Sequence, residues 1–454
     1  MSIRSFFVLI LLMSQTVRAQ DVPATPPAEA VPQGEGTRVL TLESALATAR
    51  TKSPLLRQAT AQAQVGGARQ DIARAALLPT LTGTASYQRT TANFIPRPGF
   101  AQSSTVAANG LPALTWESYN YFQFGVTASV LLYDFQGSID RFRASKETRR
   151  GLDERAKATG LQVDFAVRDA FFRVRAQRGL IGVARETLAN NQRHVEQIQA
   201  FVEVGTRPEI DLRQVRTDLA NARVSLVQAD NNYQIARATL KQAMGVDDAS
   251  GFDVADEQLS KLPGEDAATD VLLQEAIASR PDVVALERDL RASALTASAA
   301  RGTFGPTLSA STAINTAGLT VDEQRWNWNA GVQANWPIAR GGASIAELKA
   351  ARAEQRRVEA SIAELRQTVR LQVEQARLGV GAALATLEAA GEARDNARAR
   401  LGLAEGRYEA GVGNAIELGD AQVAFTSAEA QSVSAEYSLS VARAQLLSAL
   451  GRSR

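Results

Sequence analysis

At 454 residues, 45% hydrophobic but only 6% aromatic, the chain has material for two or three domains yet few of the rings that fill a large globular core. Its 50 basic residues nearly balance 48 acidic ones, and two of the basic residues, Arg4 and Arg18, lie in an N-terminal leader, so nothing favours a nucleic-acid partner. Cysteine is absent, which excludes disulfides and an N-terminal lipid-modified cysteine, and no apolar run of helical membrane-span length follows the leader.

Residues 1–19 read as a signal peptide: Arg4, the apolar run Phe6 to Met13, then Val17-Arg18-Ala19 as a cleavage site. Residues 20–40 form a Pro/Ala-rich leader. A first repeat, 41–248, opens with helical patterning from Leu42 that breaks at Pro54 and runs to about Leu78. Pro79-Thr80-Leu81 then starts a strand of about 80–90, and a loop rich in proline and glycine leads to a second strand of about 120–133. In that second strand Phe122, Phe124, Val126, Ala128 and Val130 alternate with polar or small residues.

The stretch 138–204 contains no proline and carries a heptad seam: Val163, Val167, Ala170, Val174, Ile181, Ala184, Leu188, Val195, Ile198 and Val202. As a helix it would be roughly 100 Å long, and a lone rod of that length cannot bury its own stripe. Gly205-Thr206-Arg207-Pro208 makes a turn, a helix returns over 209–245, and 249–266 reads as a linker.

The second repeat, 267–451, restates this plan: a helix, strands of about 306–316 and 325–338, a long helix over 342–410 and a helix over 415–450. Pro281 answers Pro54 and Pro306 answers Pro79, each 227 positions on; from Gly125 onward the offset is 206. The chain therefore reads as a duplicated unit of long coiled-coil-like helices and two β-hairpins. The strand ending the second hairpin carries Trp326, Trp328 and Trp336 on one face, and its length matches the roughly 25 Å apolar band of an outer-membrane barrel. Four strands cannot close a barrel and open edges are not tolerated in lipid, so subunits must pool their strands.

These features resemble the outer-membrane efflux protein (TolC) family over residues 41–451. The resemblance rests on Pro79-Thr80-Leu81 with Pro306-Thr307-Leu308, Leu132-Tyr133-Asp134 with Ile338-Ala339-Arg340-Gly341-Gly342, and the turns Val204-Gly205-Thr206 and Ala410-Gly411-Val412-Gly413. It implies a homotrimer with a 12-stranded transmembrane β-barrel on a periplasmic α-helical barrel, in the outer membrane of a Gram-negative bacterium. Such a duct serves tripartite efflux or type I secretion, with a periplasmic adaptor (membrane fusion) protein and an inner-membrane transporter as partners.

By the same resemblance Tyr408, Glu417, Asp420 and Asp211 fall on gate and selectivity positions, and Val204, Gly205, Thr206, Gly411, Val412 and Gly413 on adaptor-docking tips. Trp326, Trp328, Trp336, Phe122 and Phe124 would form the aromatic girdle in contact with outer-membrane lipid. The second turn departs from the family, whose gate arginine falls on Gly413. Glu417 and Asp420, three copies around an axis, would make an acidic throat; the alternative is that acids favour the positive end of a helix capped by Asn414.

Enzymatic chemistry lacks its parts. His194 is the only histidine, falls off the seam and reads as a solvated helix residue; no phosphate-binding glycine loop or metal-ligand spacing occurs, and no cofactor is expected. A periplasmic or surface coiled-coil scaffold with no channel activity would explain the heptads but not the tryptophan-ended strands, and a general porin would put most residues in strands.

Overall fold

The computed structural model describes residues 38–91, 116, 118–247, 251–410 and 412–453. The chain divides into two compact units, one of residues 1–39 with Gly251–Asp253, the other of Leu40–Ser250 with Val254–Arg454. Most of the first unit, with the predicted signal peptide and most of the predicted leader, lies outside the described residues. The short strands β1 (Arg38–Leu40) and β4 (Phe252–Val254) pair with each other. Neither is legible in the sequence: three residues are too few to display a period of two, and β4 sits in the stretch read as linker.

In the larger unit, α1 (Leu42–Lys52) begins with a capping box. The Thr41 hydroxyl accepts from the Ser44 N–H, and the Ser44 hydroxyl accepts from the Thr41 N–H. Pro54 opens α2 (Pro54–Ala75), where its missing N–H leaves no helical bond unmade, so the chain redirects at Ser53. Pro281 has the same place between α5 (Thr269–Ser279) and α6 (Pro281–Gly302).

Two helices of 67 residues, α3 (Gly137–Glu203) and α7 (Ala343–Glu409), carry the packing. Val163, Val167, Ala170, Val174, Ile181 and Ile198 are buried along α3, and Val369, Val373, Ala376, Val380, Ala390, Leu401 and Ala404 along α7. The heptad spacing keeps each stripe turned to a neighbour over the full length. α3 packs against α1, α2, α4 (Glu209–Met244), α6 and α8 (Ala415–Ala449); α7 packs against α5, α6 and α8.

Strands β2 (Thr80–Thr91), β3 (Ser118–Tyr133), β5 (Thr307–Gly318) and β6 (Arg325–Asn335) form one antiparallel sheet in the order β2-β3-β5-β6. β6 stops before its predicted end at 338, because Pro337 has no N–H to give a ladder. Tyr87 pairs with Phe122, Phe124 with Thr316, Thr316 with Trp326, and Ile314 with both Val126 and Trp328. Since directly paired residues point the same way, these side chains share one face. Gln123, Thr127, Asn315, Asn327, Asn329 and Gln333 take the other.

Each second strand turns into its long helix through two residues of positive φ: Phe135 (54°) and Gln136 (63°) before α3, Gly341 (56°) and Gly342 (83°) before α7. Glycine adopts this region freely, whereas other residues strain by about 1–2 kcal/mol each. At the first junction Asp134 Oδ2 accepts from the Ser138 N–H at 2.6 Å, and the Phe135 ring fills the space that a side chain on Gly305 would need.

Candidate functional site

The helical pairs end in two turns. α3 stops in a Schellman arrangement: Gly205 (φ 74°) donates to the Val202 carbonyl and Thr206 to the Phe201 carbonyl, and Pro208 prevents continuation. At the end of α7 the N–H groups of Val412 and Gly413 both donate to the Arg407 carbonyl. The Asn414 side chain then caps α8 by accepting from the Glu417 N–H at 2.6 Å. Val204, Thr206 and Val412 are exposed, and Gly413 is half-buried; Gly411 lies outside the described residues.

Behind the turns one apolar cluster draws on all four helices: Ile198 from α3, Leu212 and Val215 from α4, Leu401, Ala404 and Tyr408 from α7, and Leu418, Ala421 and Phe425 from α8. Tyr408 is only 4% exposed, and its hydroxyl has no hydrogen-bond partner among the described residues. Burial pushes the phenol up from its ordinary value; nearby Arg207 opposes the shift and Asp211 reinforces it.

His194 corrects the sequence reading. It is half-buried rather than solvated, with its ring centroid 5.5 Å from that of Tyr408. Burial lowers its pKa, against a hydrogen bond to Gln197 and the fields of Glu405 and Asp218. Heptad phase alone misplaces it, because the large Tyr408 ring reaches beyond the α3 seam.

Asp211 and Asp420 line one cavity of about 580 Å³ between α3, α4 and α8, together with His194, Gln214 and Asp218. Asp420 itself is exposed. Glu417 is not part of that lining and lies 3.5 Å from the Arg407 guanidinium. Arg207, which has no assigned role on sequence grounds, reaches the second turn: it donates to the Gly413 carbonyl at 3.3 Å and stands 5.0 Å from the Tyr408 ring centroid. The available signal was positional, since Arg207 and Gly413 are separated by the same 206 residues as the two repeats.

At the sheet, Trp326 and Trp328 are 75% and 60% exposed on the apolar face, and Trp336, just past the end of β6, is 61% exposed with its indole N–H donating to the Phe304 carbonyl, so a large aromatic area is open to a surrounding phase. Phe124 is exposed beside them, and Phe122 is half-buried against Tyr87, the two ring centroids being 5.0 Å apart. No helix among the described residues is long and apolar enough to cross a membrane. The sheet is thus the element with the right surface for lipid.

The family model for outer membrane efflux proteins matches residues 45–246 and 272–452. The chain belongs to that family. The chain is 28% identical over 426 residues to the probable efflux pump outer membrane protein SepC of Pseudomonas putida, covering 89% of this chain and 82% of the relative. It is 27% identical to protein CyaE of Bordetella pertussis, covering 96% and 91%. Among solved structures, a membrane protein from Pseudomonas aeruginosa has a TM-score of 0.78 at 23% identity, covering 95% of this chain and 96% of its own. The open state of the Neisseria gonorrhoeae MtrE outer membrane channel has a TM-score of 0.76 at 21% identity, covering 91% and 89%. This outer membrane efflux protein is therefore a channel of the Gram-negative outer membrane with a periplasmic helical part.

Proposed function

We propose that the protein works as a homotrimer whose three four-stranded sheets close into one 12-stranded barrel, continued by a helical barrel into the periplasm. The observation that carries this reading is the sheet itself. Its apolar face is exposed, and among the described residues β2 and β6 stand at its edges without a further strand of this chain. In hydrocarbon every backbone N–H and C=O must be met, so such a sheet requires closure, and four strands are too few to close alone.

In this reading the polar face, with Gln123, Asn315, Asn327 and Asn329, lines the exit, and Trp326, Trp328, Trp336, Phe122 and Phe124 form the lipid girdle. The matching order of helix, strands, long helix, turn and helix in both halves supports an internal duplication. The turns at Val204–Thr206 and Gly411–Gly413 would receive a periplasmic adaptor that links the duct to an inner-membrane transporter. Tyr408, Asp211, Glu417 and Asp420 would act at the tip, where charge and aperture bear on passage.

The cysteine-free chain offers a direct test. Single cysteines are placed at Ala107, between β2 and β3 in the sequence, and at Gly205, and intact cells are treated with a membrane-impermeant maleimide. Labelling at Ala107 but not at Gly205 is expected for a chain that crosses the outer membrane with its turns inside. Failure of both to label until the outer membrane is opened would favour a periplasmic scaffold.

A further inference from the structure

We propose that Arg207 is a positioning residue that ties the first helical turn to the second within one protomer, and so sets the resting spacing of the tip. The inference deepens the duct reading and rests on it for its functional consequence, though not for the tie itself.

Three observations converge. First, the Arg207 guanidinium spans the two turns: Nη2 donates to the Gly413 carbonyl at 3.3 Å, and the charge lies 5.0 Å from the centroid of the buried Tyr408 ring, within cation–π range. A planar fork can serve an acceptor and a ring face together, which a lysine ammonium does less well.

Second, two of the neighbouring acids, Glu209 and Glu417, have other partners. Glu209, two residues on, pairs with Arg213 at 2.7 Å, and Glu417 lies 3.5 Å from Arg407. Arg207 therefore spends its reach on a carbonyl and a ring of the opposite turn rather than on a local ion pair.

Third, the acceptor turn leaves little room for a clamp of its own. A Cβ on Gly413 would lie 3.0 Å from the Tyr408 nitrogen and 3.1 Å from the Arg407 carbonyl carbon, both rigid backbone. A side chain at 413 would require this backbone to give by a few tenths of an ångström. The position 206 residues earlier carries the arginine instead, and it arrives from outside the crowded turn.

The consequence is mechanical. The apolar cluster behind the turns holds α3, α4, α7 and α8 together by non-directional packing, whereas Arg207 adds a directional link at the outermost point. Without it the α3–α4 and α7–α8 pairs can separate at their ends while staying packed farther back.

The test uses the full-length protein, with cysteines introduced at the exposed residues Val204 and Val412 and converted to spin labels. Labelled chains are diluted in unlabelled ones so that only distances within a protomer are read. Arg207→Ala is expected to shift the mean distance outward by roughly 3 Å, about one hydrogen-bond length, and to broaden its distribution. Arg207→Lys, which keeps the charge but loses the fork, is expected to fall between. An unmoved distribution in Arg207→Ala, with helix content equal to the parent's, overturns the tie.

Bilayer conductance of the same samples separates this inference from the reading beneath it. No conductance from the parent protein would count against the duct and leave a shifted distance as support for the tie. An unmoved distance would remove the tie whatever the conductance.

Discussion

α3 and α7 have the same length and matching seams, yet they bury different chemistry. Along α3 the fully buried residues include Asp164, Arg168, Phe171 and Phe172. The positions 206 residues later are Arg370, Glu374, Arg377 and Leu378, none of which is buried. The cause is the number of neighbours: α3 is covered by α1, α2, α4, α6 and α8, whereas α7 has α5, α6 and α8 and keeps Leu371, Leu378 and Leu403 exposed at 55%, 56% and 70%. A heptad seam specifies one partner, and how much of the remaining circumference is covered depends on where the helix sits. The exposed leucines give α7 an apolar face suited to another subunit, in line with the trimer proposed above.

The largest expected effects break this difference at one equivalent pair. Phe172→Ala empties a position that is 1% exposed and should cost about 3–5 kcal/mol, seen as a lower midpoint for loss of helical signal. Leu378→Ala should change protomer stability by less than about 0.5 kcal/mol, since its side chain already meets solvent in one chain. If α7 faces a second subunit, the same Leu378→Ala should lower the temperature at which the oligomer dissociates on a native gel. Equal loss of fold stability in both variants would show that the two helices are covered alike.

The next effect is electrostatic. Asp164 is held by Arg50 through two bonds, 3.1 and 2.6 Å long, and Arg168, only 4% exposed, lies close enough for the carboxylate to oppose the cost of burying its charge. Arg168 also donates to the Ser453 carbonyl at 2.6 Å. Asp164→Ala leaves that buried guanidinium without its anion and should cost about 3 kcal/mol. Its counterpart Arg370 forms a solvated contact with Asp270 at 3.6 Å, and Arg370→Ala should move stability by no more than about 0.5 kcal/mol in the same assay.

Much of this was legible before any coordinates because the long helices repeat a period for many turns, and Val163 to Ile198 and Val369 to Ala404 keep it. The glycines at 341 and 342 likewise announce a left-handed junction, but Phe135 and Gln136 adopt the same backbone without advertising it. Only the cavity over Gly305 and the Asp134 cap explain how that strain is held, and both are tertiary. At the tip the capping role of Asn414 follows from residue type and position. The reach of Arg207 to Gly413 does not, because it depends on how two turns from distant parts of the chain are set side by side.

The smallest expected effect concerns His194, the one titrating imidazole, at the tip where α3 and α7 come together. Its folded-state pKa lies below the ordinary 6.5, with burial as the leading cause. The unfolded chain therefore binds the proton more readily, so the neutral ring's contribution is complete above about pH 6.5 and is lost as pH falls through the folded value. Glu405 on α7, Asp218 on α4 and the Gln197 hydrogen bond favour the cation and limit the loss. Asp211 and Asp420, which share the adjoining cavity with His194, act in the same direction when ionised. His194→Gln, which cannot titrate, should therefore show a smaller fall in thermal midpoint between pH 7.5 and pH 5.5 than the parent. If the two fall in parallel, the carboxylates around the ring cancel the effect of burial, and the tilted contact with Tyr408 is indifferent to the charge the imidazole carries.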